Sequence, residues 1–158
     1  MKIISHRGNY HGIFPEKENK PSYIDTTLSI GYDVEVDIRF IDNSFYLGHD
    51  APETKIETSW ILNRKDKLWF HCKNLDAAMQ FKKMDCGIKY FCHSSDDFVL
   101  ISTGHIWVHN LNLGLDNNCI IPLLNKEDIE NYKSNDVYAI CTDDINIILS
   151  KIKNEICK

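Results

Sequence analysis

GYDVEVDIRF, residues 31–40, alternates without a break. Val34, Val36 and Ile38 fall on one face of an extended chain. Asp33, Glu35, Asp37 and Arg39 fall on the other. The period of two predicts a β-strand. If protein covers both of its faces, the charged face needs a reason. Buried carboxylates without partners cost roughly several kcal/mol. A divalent cation would neutralise them, and so would Arg7, Arg39 or Lys73. Two readings stay open at this point: an internal salt-bridge network, and a metal or phosphate site.

Outward from this strand the chain alternates strand-like and helix-like pieces. Strands are predicted at KIIS, DVEVDIRF, SFYLGH, KLWFHCK, IKYFCH, HIWVH, a weaker NCIIPL, and DVYAICT. Helices are predicted at PSYIDTTLSIG, TSWILNR, NLDAAMQFKKM, DDFVLIST, KEDIENYK and DDINIILSKIKNEI. Asn74 and Asp143 stand where helix caps belong, Asp96-Asp97 would cap DDFVLIST, and Gly31 and Gly87 follow helices. Strands alternating with helices imply parallel βαβ units. The expected class is α/β, a small TIM-like (β/α) barrel with missing or shortened helices. A typical barrel needs about 250 residues and a lean one about 200, and this chain has 158. NLNLGLDNN, after HIWVH, reads as a loop where a helix should be. A doubly wound open sheet is the alternative.

No linker, repeat or low-complexity tract divides residues 1–158, which read as a single domain. The formal net charge is -5, with no basic stripe, which argues against a nucleic-acid partner. The N-terminus has no secretory pattern and no apolar run reaches bilayer length, so a cytoplasmic protein without a transmembrane segment is expected. Cys72, Cys86, Cys92, Cys119, Cys141 and Cys157 are scattered without a CxxC pair. They read as free thiols in a reducing compartment rather than as a zinc site or disulfide framework.

Chemistry concentrates at strand ends. KIIS runs into His6-Arg7, SFYLG into His49-Asp50, LWF into His71 and Lys73, KYFC into His93, HIWV into His109, and VYAIC into Thr142-Asp143. Five of the seven histidines thus follow an apolar strand directly. In a parallel barrel these ends meet at one mouth. Oxygen ligands there suit Mg²⁺ or Ca²⁺, Arg and Lys beside them suit a phosphate, and histidines suit acid-base work. His93 and His109 read equally as hydrogen-bonded mouth residues or substrate contacts. Trp107 reads as core packing ahead of a pocket floor, and His11 and His105 as loop residues.

Four elements in order sharpen this: HRG at His6–Gly8, EN at Glu18-Asn19, ExD at Glu35–Asp37 and HD at His49-Asp50. Together they resemble the glycerophosphodiester phosphodiesterase family of the phosphatidylinositol phospholipase C-like barrels, in a short subgroup. Glu16 competes with Glu18 for the acidic role. KLWFHCKN resembles a later strand on which the family carries an acidic residue two before a lysine. Lys73 matches the lysine, but His71 stands at the acidic position. YAICTDD resembles the family's last strand.

The resemblance implies a metal-dependent hydrolase that cleaves a glycerophosphodiester to an alcohol and a phosphomonoester. His6 and His49 would be the catalytic acid-base pair. Glu35, Asp37 and His71 would hold Mg²⁺ or Ca²⁺, with Mn²⁺ a further candidate, and the His71 departure lowers the negative charge there by one. Arg7 and Lys73 would bind the phosphate. Glu18 would order the HRG loop or approach the metal from behind its ligands, and Asp50 would orient the loop carrying His49. Two alternatives stand beside this: a non-catalytic phosphate-binding barrel, and a lyase forming a cyclic phosphate. A barrel this lean would leave apolar surface exposed, so a homodimer is an expectation.

Overall fold

The computed structural model describes residues 1–133 and 136–156. Cys157 lies outside them. The described residues form one mixed α/β unit of ten strands in one sheet and five helices. In chain order these are β1 (Lys2–His6), α1 (Pro21–Ser29), β2 (Asp33–Ile41), β3 (Ser44–Leu47), β4 (Thr54–Ile56), α2 (Thr58–Leu62) and β5 (Leu68–Cys72). There follow α3 (Leu75–Met84), β6 (Lys89–Phe91), β7 (Phe98–Leu100), β8 (Ile106–Val108), β9 (Cys119–Leu123), α4 (Lys126–Asn131), β10 (Ala139–Thr142) and α5 (Ile145–Ile156).

Seven strands run parallel in the spatial order β6-β5-β2-β1-β10-β9-β8. Antiparallel strands extend this frame: β3 pairs with the far half of β2, β4 with β3, and β7 with β8. Between β6 and β8 no strand ladder is formed among the described residues. What bridges them is a loop contact, Ser102 N donating to the Tyr90 carbonyl at 2.9 Å. Ring stacking adds to it: Phe91 meets Trp107 at 4.7 Å and His93 meets His109 at 3.9 Å between centroids.

The alternation in β2 sorts its side chains as the sequence predicts. Val34, Val36 and Ile38 are fully buried against Ile24 of α1, Ala77 and Phe81 of α3, and Phe70 of β5. Burying each such side chain contributes about 1.5–3 kcal/mol. The opposite face turns to a second apolar cluster of Ile4, Trp69, Phe91, Trp107, Ile120 and Cys141. These residues form the floor above which the polar strand ends stand. At the base, Asp33 accepts from Lys2 Nζ at 3.2 Å and Trp69 Nε1 at 3.0 Å. It is structural, but its partners are not Arg39 or Lys73.

Helices α1, α3 and α4 cover crossovers, and α3 opens on its expected cap, Asn74 Oδ1 accepting from Ala77 N at 3.2 Å. Three sequence expectations fail. SFYLG, expected among the parallel barrel strands, is β3 and runs back antiparallel to β2 across a two-residue turn at Asp42-Asn43. DDFVLIST is not a helix: Phe98–Leu100 is strand β7, turning back through Gly104 at φ 94° to pair with β8. Its Phe-Val-Leu run gains a cross-strand partner that no single helical face offers it. Asp96 and Asp97 therefore cap no helix; the Asp97 carbonyl accepts from His109 N at 2.7 Å instead. At α5 the capping carboxylate is Asp144, accepting from Asn146 N at 3.0 Å and Ile147 N at 3.2 Å, and not Asp143. The segment after β8 runs to β9 without a helix, as expected of a shortened crossover.

Candidate active site

The C-terminal ends of the parallel strands surround a cavity of about 620 Å³. His6, Arg7, Glu35, His49, His71 and Lys73 line one side, and Phe91, His93, Ser94, Trp107, His109 and Leu124 line the other. Strand register explains the meeting. His6 lies beside Glu35 across β1 and β2, and Asp37 lies beside His71 across β2 and β5. All the sequence-derived site residues except Glu18, Asp37 and Asp50 line this cavity, and each of those three pairs with a residue that does: Glu18 and Asp37 with Arg7, Asp50 with His49.

Asp37 is fully buried and is the hub. Arg7 Nε lies 3.0 Å from it, His71 Nδ1 3.2 Å and Lys73 Nζ 3.7 Å. Asn19 donates to its side chain at 3.0 Å and accepts from its backbone N at 2.9 Å. Burial alone would raise the Asp37 pKa, but the adjacent His71 ring, the charge of Arg7 and the Asn19 amide hold it below the usual carboxylate range. Glu35, 2% exposed, has looser company: His71 Nδ1 at 3.8 Å and His6 Nε2 at 3.9 Å. Burial and the neighbouring Asp37 charge raise its pKa, and His6, His71 and Arg7 offset this only in part. The environment thus drives the two carboxylates apart, a pattern concentrated at functional sites.

One donor atom each from Glu35, Asp37 and His71 lies within 4.8 Å of the others. Glu35 Oε2 and Asp37 Oδ1 are buried without a hydrogen bond. His71 Nε2 faces the His93 carbonyl at 3.4 Å, the orientation in which Nδ1 is free to ligate while Nε2 donates outward. The set of two carboxylates and one imidazole fits a divalent cation.

His6 is clamped from behind. Its Nδ1 lies 2.8 Å from Asp143 Oδ1, and Asn9 Nδ2 donates to the same oxygen at 2.8 Å. Burial lowers the His6 pKa, but the Asp143 hydrogen bond and the Glu35 charge outweigh it, so the net shift is upward. Glu18, and not the exposed Glu16, ties the HRG loop, accepting from Arg7 at 3.1 Å and Asn9 at 2.8 Å. Arg7 and Asn19 hold left-handed backbone at φ 55° and 56°, strain concentrated at the site.

His49 is carried by the loop after β3. Its Nδ1 lies 2.7 Å from Asp50 Oδ1. Arg39 does not neutralise the carboxylates. Its guanidinium donates instead to the Gly48 carbonyl and, at 2.7 Å, to the His49 carbonyl. Gly48 stands at φ 140°, and a Cβ there would lie 2.2 Å from the Ala51 carbonyl oxygen, so only glycine fits this turn. Trp107 serves both expected roles, stacked on Phe91 in the core and lining the cavity. Burial and neighbouring imidazoles lower the His93 and His109 pKa values, that of His109 to about 4.

Sequence reasoning missed Asp143 and Asn9. Asp143 was visible at a strand end, but its place before a helix favoured the capping reading. Asn9 follows HRG directly, and only the return of the chain at Asp143 shows what it bonds.

A solved structure, the crystal structure of glycerophosphodiester phosphodiesterase from Agrobacterium tumefaciens str. C58, aligns with 96% of this chain and 99% of that chain. The TM-score is 0.46 and the sequence identity 12%. No family model matches the chain, and no curated protein matches it. Among the described residues no helix is long and apolar enough to cross a membrane.

Proposed function

We propose that the chain is a metal-dependent phosphodiesterase on an incomplete (β/α) barrel, cleaving a glycerophosphodiester or related phosphodiester to an alcohol and a phosphomonoester. The observation that carries this reading is the meeting of two cations and two histidines in one cavity with a pair of buried carboxylates, Glu35 in its wall and Asp37 paired with Arg7. The four sequence elements in order support it.

Glu35, Asp37 and His71 would hold a divalent cation, which when bound supplies Lewis-acid stabilisation of phosphoryl oxygen charge. Arg7 and Lys73 are the phosphate-holding groups: each sits near Asp37 and faces the cavity. Water adds to phosphorus, the bond from phosphorus to the alcohol oxygen breaks, and that oxygen takes a proton. His6, whose pKa is raised by the Asp143 hydrogen bond and the Glu35 charge, is suited to give the proton. His49, at the cavity rim beside Asp50, is suited to take one from water.

A second reading, a phosphate-binding barrel without turnover, gains from His71, which leaves the cation site one negative charge poorer than an all-carboxylate set. Paired variants separate the two. Glu35→Gln should weaken both cation binding, read by calorimetry, and phosphodiester cleavage. His49→Ala should abolish cleavage with cation binding unchanged. Wild-type protein that binds cation and phosphate yet cleaves no phosphodiester would establish the binding reading.

A further inference from the structure

Strand β6 is weakly anchored in the parallel frame. It spans three residues, and among the described residues its one ladder partner is β5. The register runs Trp69 with Lys89, Phe70 with Tyr90 and His71 with Phe91. One step further along both parallel strands, Cys72 stands opposite Cys92. Cys72 and Tyr90 pack on the same apolar cluster under α3, and the period of two turns Cys92 to that side as well. The two thiols share a hydrogen bond, Cys72 donating to Cys92. Cys72 is 4% exposed, whereas Cys92 is open to solvent. No helix stands between β6 and β9 among the described residues, so the crossover helix that ordinarily covers such a position is missing.

We propose that Cys72 and Cys92 form a reversible oxidation site, at which a peroxide closes a disulfide that staples the end of β6 to β5. The proposal does not depend on the phosphodiesterase reading. Neighbouring strands lie about 4.7–4.9 Å apart, inside the Cα spacing of about 4.4–6.8 Å that a disulfide spans. Cys92, the solvent-facing sulfur, reacts first. Its thiolate attacks one peroxide oxygen, the O–O bond breaks, and the other oxygen leaves with a proton as water. Cys92 is then a sulfenic acid. The Cys72 sulfur attacks the Cys92 sulfur, the S–S bond forms, and the S–O bond breaks. The departing hydroxide takes the Cys72 proton as a second water. Two electrons have passed from the sulfurs to the peroxide, and a reducing dithiol returns them by exchange. His71 precedes Cys72 and His93 follows Cys92. The staple therefore fixes the two strand ends that bring these rings to the cavity wall.

The purified, reduced protein is treated with stoichiometric hydrogen peroxide, alkylated and digested. Peptide mass mapping should show Cys72 joined to Cys92. The bond closes the loop that carries α3, so the melting temperature should rise by roughly 5–10 °C. Dithiothreitol should restore the starting value. In Cys72→Ala the rise should vanish, and Cys92 should stop at the sulfenic acid, trapped by dimedone. Mapping of the wild type decides the matter whatever the folding of the variant. Cys92 left unreacted, joined to Cys86, or carried to sulfinic acid with Cys72 free overturns the site. A bond between Cys72 and Cys92 that leaves the melting temperature unchanged or lower overturns the staple.

Discussion

Replacing Asp143 by Asn removes the charge behind His6 while keeping an oxygen that can accept from Nδ1. In the wild-type protein the two side chains are 15% and 10% exposed and meet at 2.8 Å, so solvent screens the pair little. The folded pKa of His6 lies above its ordinary value. Its contribution to stability is therefore fully present below the unfolded value, about pH 6.5, and fades as pH rises through the folded one. A hydrogen bond to a charged group contributes about 1.5–3 kcal/mol and a neutral one about 0.5–1.5 kcal/mol. Below about pH 6 the variant trades the first kind for the second and should lose about 1–2 kcal/mol; at about pH 9 the loss should nearly vanish. Urea unfolding of both proteins in chelator at the two pH values measures this, and imidazole NMR should place the His6 titration lower in the variant. A destabilisation that is the same at both pH values, or larger at the higher one, would refute the charged His6–Asp143 pair.

Glu35→Gln should act in opposite directions with and without metal. The raised Glu35 pKa means that ionising it costs stability as pH rises above the unfolded carboxylate value, so in chelator at about pH 8 the variant should melt higher than wild type. With saturating Mg²⁺ or Ca²⁺ the wild type should gain melting temperature and the variant should not; an equal gain in both would remove Glu35 from the cation site. Arg39→Met keeps the packing stem and deletes the two donors that hold the His49 loop. Turnover should fall about tenfold or more through misplacement of His49, with the cation-induced melting shift intact; full turnover would mean that the loop needs no such tether. Phe70→Ala, in the fully buried cluster behind β2, should cost about 3–5 kcal/mol, and a loss under about 1 kcal/mol would show that this core collapses onto the cavity.

What could be read in advance was local. The period of two in β2 sorted three apolar and three acidic side chains correctly, because each face of a strand meets one environment along its length. Strand ends carrying His6, His71, His93 and His109 could be seen as a set, because parallel strands share one polarity, whereas His49 reaches the same mouth on the antiparallel return of β3. What could not be read depends on pairing at a distance. Phe98–Leu100 has the composition of either element, and its partner, Ile106–Val108, lies across a turn that decides the matter. Asp143 and Asp144 have the same capping chemistry; the register of β10 against β1 aims the first at His6 and leaves the second for α5. Arg39 continues the charged face of β2, but the antiparallel return of β3 brings the Gly48 and His49 carbonyls to it before any carboxylate can use it. The open seam between β6 and β8 is bridged by side-chain rings, which no strand pattern encodes.

The central claim is that one mouth holds both a divalent cation and a cleavable phosphodiester. The most direct measurement is release of glycerol 3-phosphate from glycerophosphodiesters by the purified protein with Mg²⁺, Ca²⁺ or Mn²⁺, then with chelator, in wild type and His49→Ala. The account predicts cleavage that needs the cation, stops with chelator and is lost in His49→Ala. Cleavage that persists in chelator, or at full rate in His49→Ala, would contradict it.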